Sequence, residues 1–303
     1  MRKEKPAGSL IDSTRVPRRL MLFPLVIIFL LITIFPFIFT IALTFTKVSL
    51  TGGLHISWNG VYYWSKLLHD GRFWNSVSRT YLIVVCSVFA EYVIGFGLAL
   101  TLWERIKLSS FFQVFYLIPM ALTPIAIGYS WRMLFHETKG PLNDILGLLN
   151  IRPISWLTNA KTAIFPIIVV DVWQWTPFIF LIMFAALQSF PNSLIEAARI
   201  DGASKRTIFS RLIFPILWPS SMAAIFIRIV ECFKIIDIII VLTGGGPGIS
   251  TETTTLLAYN IGLKSFDLAY GATIATAFFL IVVLTVVVLI GLVNRVTGSS
   301  ERA

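Results

Sequence analysis

Residues Glu196–Pro215 read EAARIDGASKRTIFSRLIFP, an amphipathic, charge-bearing segment set between two apolar runs. The chain around it has 303 residues, of which 56% are hydrophobic and 13% charged, with a mean hydropathy of +0.83. Soluble domains carry about a quarter charged residues, so the composition points to an all-α polytopic membrane protein. The net charge of +10 does not make a nucleic-acid surface, because the basic residues flank apolar runs and form no aromatic-interleaved face. They read as topology signals. Cys86 and Cys232 both lie inside apolar stretches without a CxxC spacing, which predicts two buried thiols and no disulfide. His55, His69 and His136 are scattered through polar connections, so no metal ligand set is expected.

Crossing the hydrocarbon core takes about 20 apolar residues in a helix, and six segments qualify: 20–46, 78–103, 110–135, 162–187, 213–242 and 268–293. This divides the chain into a tail at 1–19, a six-span domain at 20–293 with the loop 188–211, and a tail at 294–303. The first run follows the basic stretch RVPRRL but is far longer than a signal-peptide core and has no cleavage pattern; it is expected to remain as a span. Arg2, Lys3, Lys5, Arg15, Arg18 and Arg19, then Arg105 and Lys107, then Arg199, Lys205, Arg206 and Arg211, then Arg295 and Arg302 fall on one side. Only Lys47, Lys66, Arg72, Lys139, Arg152, Lys161 and Lys264 fall on the other. The positive-inside rule therefore places both termini and the Glu196 loop in the cytoplasm. Pro119, Pro124, Pro166, Pro177, Pro215 and Pro219 mark kinks or packing adaptations within or beside the spans. Gly95, Gly97 and Ala99 read as a small-residue helix contact.

Locally, the loop encodes two short helices. Ser193 and Glu196 have the spacing of a capping box, which places a helix start near Leu194. Ala197 and Ala198 favour helix with a low profile, and Gly202 can end the turn. A second helix restarts near Ser204 and runs through Arg211 into the fifth span. One reading is an interfacial helix whose Lys205, Arg206 and Arg211 sit on anionic lipid headgroups.

The other comes from a resemblance. Glu196-Ala197-Ala198, three residues, Gly202, and then Pro215 resemble the signature EAA-x3-G-x9-I-x-LP of ABC importer permeases, with Leu212 for Ile and Phe214 for Leu. Gln188, Pro191, Asp201 and Ala203 are similar to its sugar-importing, maltose-type subfamily. FKIIDIIIVLTGGGP (Phe233 to Pro247) with Thr251, and WRMLFHETKGPLN (Trp131 to Asn143), resemble two further hallmarks of that subfamily. The resemblance implies the type I importer permease fold in a bacterial plasma (inner) membrane. It also implies a coupling helix, carried by Glu196, Ala197, Ala198, Asp201 and Gly202, seated in a cytoplasmic ATPase pair that holds ATP and Mg. The further partners it implies are a second permease subunit, an extracytoplasmic solute-binding protein and the sugar substrate. The chain has no GxxxxGK[ST] loop of its own for nucleotide phosphates, and no cofactor is expected on it.

Ionisable residues inside spans are costly and usually face the bundle interior or a pathway. Helical spacing puts Asp171, Trp175 and Phe178 on one face of the fourth span with Gln174 beside them, a mixture of polar groups and aromatic surface that suits carbohydrate. Arg228, Glu231 and Ile235 share a stripe of the fifth, with Cys232 and Lys234 adjacent. The resemblance to the maltose-type permease makes Asp171, Gln174, Trp175, Phe178, Arg228, Glu231, Cys232 and Ile235 the substrate-binding positions. Arg228 and Glu231 could instead form an i,i+3 ion pair that neutralises both within the bundle; if they do not, Arg228 could meet an acidic group on the sugar. Glu91 is expected to pair with a neighbouring helix, Arg132 to snorkel to the interface, and Asp237 to brace an outer gate. An ion-coupled secondary transporter would usually show an inverted repeat, and an enzyme a motif such as HExxH or GxSxG; the sequence carries neither signal.

Overall fold

The computed structural model describes residues 18–49, 55–103 and 109–300. The tail before Arg18, with Arg105, Lys107 and Arg302, lies outside the described residues. The first span comprises α1 (Arg18–Phe29), a wide π turn (Leu30–Ile34) and α2 (Phe35–Leu43). Pro36 at the second position of α2 has no N–H to give, and the turn before it closes with Phe35 N–H donating to Leu30 O. A two-stranded antiparallel hairpin follows, β1 (Thr46–Ser49) and β2 (His55–Trp58), with Thr46 opposite Trp58 and Ser49 opposite His55. This small hairpin sits in a fold that is otherwise helical, as the sequence leads one to expect.

After α3 (Tyr62–Leu68) comes α4 (Gly71–Trp103), a turn or two longer at its start than the expected 78–103. The expected third span at 110–135 is a broken helix: α5 (Ser109–Ala121) and α6 (Pro124–Leu134) are separated at Leu122–Thr123. Thr123 is extended (φ −69, ψ 136) because the residue before a proline is pushed out of the helical region, and Pro124 then starts α6. Among the described residues, five continuous helical segments are long and apolar enough to cross a membrane: Leu22–Leu43, Gly71–Trp103, Ile164–Gln188, Lys205–Cys232 and Leu268–Arg295.

A short α7 (Pro141–Leu148) leads to α8 (Ile164–Gln188), the most buried of these spans, with Phe165, Trp173 and Leu181 left exposed. The loop contributes α9 (Asn192–Ile200) and α10 (Lys205–Ile208), and a second π turn (Phe209–Ile213) precedes α11 (Phe214–Cys232). Here too a proline, Pro215, follows the wide turn, in which Phe214 N–H donates to Phe209 O. The expected fifth span at 213–242 does not continue as one helix. It stops at Cys232, turns through Phe233–Ile236, and restarts as α12 (Asp237–Leu242) against α6. Gly128 permits that approach, since a Cβ there would lie 2.9 Å from Val241 Cβ. Arg132 does not snorkel freely; its Nη1 donates to Val241 O at 3.0 Å near the end of α12, where a cation meets the helix dipole. The last helices among the described residues are α13 (Thr254–Tyr259) and α14 (Leu268–Ser300).

Two apolar clusters hold the bundle. One surrounds Phe73, Ile83, Ile167, Phe233, Ile239 and Ile274; the other surrounds Phe96, Ile179, Phe180, Met183, Leu187 and Ile208, nearer the loop. The main seam joins α4 to α8. A Cβ on Gly95 would stand 3.0 Å from Ile179 Cβ, and Ala99 is fully buried, so the small-residue contact is Gly95 with Ala99. Gly97 is not part of it, since a Cβ there would meet no neighbour within 4 Å. Cys232 is buried, but Cys86 is only half-buried, which corrects the expectation of two buried thiols.

The two upstream and downstream hallmarks are structural braces. Asn143 donates to Glu137 O and Ile154 O and accepts from Ile154 N and Trp156 Nε1, tying the segment after α6 together. In the glycine-rich loop, Gly244, Gly245 and Gly248 adopt positive φ. Beyond it, buried Glu252 receives Arg72 Nε and Nη2, both at 2.7 Å, and Asn260 Nδ2 at 3.0 Å.

Candidate functional site

The polar centre of the bundle lies where α4, α8 and α11 meet. The buried stripe of α11 runs Leu217, Ser221, Ala224, Arg228, Cys232, so Arg228 points inward and Glu231 falls beside the stripe. Arg228 Nε donates to Glu91 Oε2 at 2.6 Å, and Nη2 donates to Glu91 Oε1 at 2.7 Å and to Asp171 Oδ2 at 3.1 Å. Arg228 and Asp171 are each 2% exposed and Glu91 is fully buried. Glu91 thus pairs with a neighbouring helix as expected, while the alternative Arg228–Glu231 pair does not form. Glu231 takes Lys234 Nζ at 2.7 Å on the open side. The physical reason is desolvation: a guanidinium taken out of water needs a buried carboxylate with fork geometry, which a half-exposed neighbour on its own helix cannot supply.

Beside this centre is a cavity of about 250 Å³. Of the eight expected substrate positions, seven line it: Asp171, Gln174 and Trp175 from α8, Arg228, Glu231 and Cys232 from α11, and Ile235 just beyond. Phe178 does not. It lies a turn farther along α8 and packs with the apolar cluster nearer the loop. Lys234 and Asp237 also line the cavity, as does Pro124; Pro124 was legible only as a helix interrupter, since nothing local says that the break it causes opens onto α8. The Trp175 ring centroid lies 5.0 Å from Arg228 Cζ, a cation–π contact. Cys232 Sγ donates to Asp171 Oδ2 at 3.4 Å. Gln174 Nε2 reaches Leu122 O at 3.4 Å, a carbonyl at the break between α5 and α6, while its Oε1 is buried without a partner. Asp171 and the unpartnered Gln174 oxygen are hydrogen-bond acceptors beside an aromatic face. Such an arrangement suits a ligand rich in hydroxyl donors.

The second site is the loop. The helix α9 starts at Asn192, two residues before the expected start, with Pro191 as an extended N-cap (φ −69, ψ 108) and no side-chain cap. The capping box of Ser193 and Glu196 is therefore not used, because Pro191 sets the entry and both residues fall inside the helix. Gly202 does end the turn, at φ +77, with its N–H on Arg199 O and Ala203 N–H on Ala198 O. Ser204 caps α10, its Oγ accepting from Thr207 N at 3.2 Å. Ile195 is buried and Ala198 half-buried against the bundle, whereas Glu196, Ala197, Asp201 and Gly202 are exposed. Two residues not singled out from sequence share that face: Leu194, and Ile200, which is 86% exposed. They read as ordinary helix apolars until the fold shows which way they point. A cleft of about 470 Å³, lined in part by Trp103, Glu196, Arg199 and Lys205, separates α9 from the end of α4.

The sequence profile of the family described as "Binding-protein-dependent transport system inner membrane component" matches residues 91–296. The chain is 37% identical over 220 residues to the trehalose/maltose transport system permease protein of Thermococcus litoralis, covering 72% of this chain and 73% of that protein. It is 32% identical over 260 residues to the sulfoquinovosyl glycerol transport system permease protein of Agrobacterium fabrum, covering 86% and 84%. Its fold is similar to that of a chain in a bacterial ABC transporter involved in the import of the acidic polysaccharide alginate, with a TM-score of 0.80 at 19% identity over 92% of this chain and 95% of the other.

Proposed function

We propose that this chain, which belongs to the family of binding-protein-dependent transport system inner membrane components, passes a sugar or sugar-like solute inward along the cavity between α8 and α11. It is the membrane permease subunit of an ATP-binding-cassette importer and not itself an enzyme. ATP hydrolysis belongs to a separate partner, and the ion-coupled alternative has no support. The observation that carries the substrate reading is the cavity itself, where Asp171 and Gln174 offer acceptors beside the Trp175 face among spanning helices. A volume of about 250 Å³ is below the roughly 300–1,000 Å³ of a typical ligand pocket. That size fits a half-site completed by a second permease subunit. The names of the relatives from Thermococcus litoralis and Agrobacterium fabrum both concern saccharide or glycoside transport.

In this reading α9 is the coupling helix. Ile195 anchors it to the bundle, and Leu194, Glu196, Ala197, Ile200 and Asp201 face a cleft of the ATPase pair, where ATP and Mg are held. The basic residues of the loop support a cytoplasmic side for it and for both termini, with the glycine-rich loop toward the solute-binding protein. Uptake of radiolabelled disaccharide by the reconstituted complex tests the pathway: Trp175→Ala and Gln174→Leu should each lower it severalfold. Normal uptake by both variants would overturn the placement of the pathway.

A further inference from the structure

The cavity has an unequal supply of charge. Asp171, Glu231 and Asp237 line it against Arg228 and Lys234. Lys234 is already held by Glu231 at 2.7 Å. Arg228 would be the natural partner for an acidic substituent, yet its guanidinium is engaged by both oxygens of Glu91, at 2.6 and 2.7 Å, and by Asp171 at 3.1 Å. Glu91 does not line the cavity. It is fully buried on α4 behind Arg228, whose guanidinium it holds at two points. A second observation points the same way: Gln174, 1% exposed and lining the cavity, leaves Oε1 buried without a hydrogen-bond partner. An amide oxygen in that position asks for a donor, which a hydroxyl or an ammonium can supply and a carboxylate cannot.

Resting on the reading of this cavity as the solute half-site, we infer that the site selects neutral or amino-substituted sugars and rejects anionic ones, with Glu91 as the positioning residue that sets this selectivity by neutralising Arg228. A carboxylate or sulfonate entering the cavity meets Asp171, Glu231 and Asp237 with no unpaired cation among the described residues that line it. Like charges brought together at a binding site are a strong means of rejection. Removing the charge of Glu91 while keeping its shape leaves Arg228 with Asp171 alone and gives an acidic substituent a partner.

The test uses the purified complex of this chain with its partner permease and ATPase subunits, without the solute-binding protein, so that the half-site is read directly. Binding is followed by tryptophan fluorescence, with Trp175→Phe identifying the part of the signal that comes from the cavity. The probes are maltose and the same disaccharide with one carboxylate in place of a hydroxymethyl group. The wild-type complex should bind maltose at least about tenfold more tightly than the acid, a modest margin for a like-charge mismatch. Glu91→Gln should narrow or invert that ratio, and Glu91→Gln with Arg228→Met should restore the preference for the neutral sugar, because the freed cation is gone. If Glu91→Gln alone does not assemble, the wild-type ratio and Glu91→Asp decide, since the shorter carboxylate loosens the two-point hold on Arg228 and should narrow the ratio in the same direction. Equal or tighter binding of the acid by the wild type overturns the inference, as does an unchanged ratio in Glu91→Gln. A cavity-dependent signal with the wrong ratio refutes only the selectivity; no Trp175-dependent signal with either sugar refutes the assignment of the cavity itself.

Discussion

Arg228→Met should destabilise this permease far more than any loss of a surface charge pair. The guanidinium makes two hydrogen bonds to Glu91 and one to Asp171, and all three residues are at most 2% exposed. Replacing it with a side chain of similar length leaves two carboxylates facing each other among apolar helices. Breaking a buried pair by removing one partner costs about 3–5 kcal/mol. For a chain of this size that corresponds to a fall in Tm on the order of 10 °C. Lys234→Met is the internal control. It breaks the Glu231 pair, whose side chains are 62% and 48% exposed, and such pairs contribute about 0–1 kcal/mol. The assay is thermal denaturation of the solubilised complex followed by size-exclusion profile, with all variants in the same detergent. Arg228→Met combined with Glu91→Gln and Asp171→Asn should recover most of the loss, since neutral partners no longer carry uncompensated charge. If Arg228→Met melts within a few degrees of the wild type, or Lys234→Met falls as far, then the buried triad is not what joins α4, α8 and α11.

Ile200→Asp should leave the melting temperature within about 2 °C of the wild type, because surface changes are usually within ±0.5 kcal/mol, while uncoupling ATP turnover from uptake; both are measured on the same proteoliposomes. Gly202→Ala should cost about 1–2 kcal/mol from its φ of +77 alone, since no neighbour lies within 4 Å of a Cβ there, and a thermal scan that detects no loss would show that the turn relaxes. Gly95→Val should cost about 1–3 kcal/mol by overpacking the seam at Ile179, whereas Gly97→Ala, facing open space, should be neutral or slightly stabilising in the same scan.

Much of this protein was legible in its amino-acid order because the governing signals are local. Apolar runs mark spans, lysine and arginine counts suggest a topology, and proline and glycine place the punctuation. Gly202 ends a helix and Ser204 caps the next because each needs only its own neighbours. Helical spacing likewise brought Asp171, Gln174 and Trp175 to a common cavity. Local spacing misleads where another residue, near or distant, sets the geometry. Ser193 and Glu196 looked like a capping box until Pro191 set the helix entry, and Phe178 shared a helical face with Trp175 but sits a turn too far from the cavity. The runs at 110–135 and 213–242 looked continuous until the breaks at Leu122–Thr123 and Phe233–Ile236 turned α6 and α12 against each other. The choice of Glu91 over Glu231 as the partner of Arg228 could be made only in three dimensions. Glu231 is three residues away and half in the open; Glu91 is far away in the chain but buried, and a charge removed from water is stabilised by whichever counter-charge is buried with it.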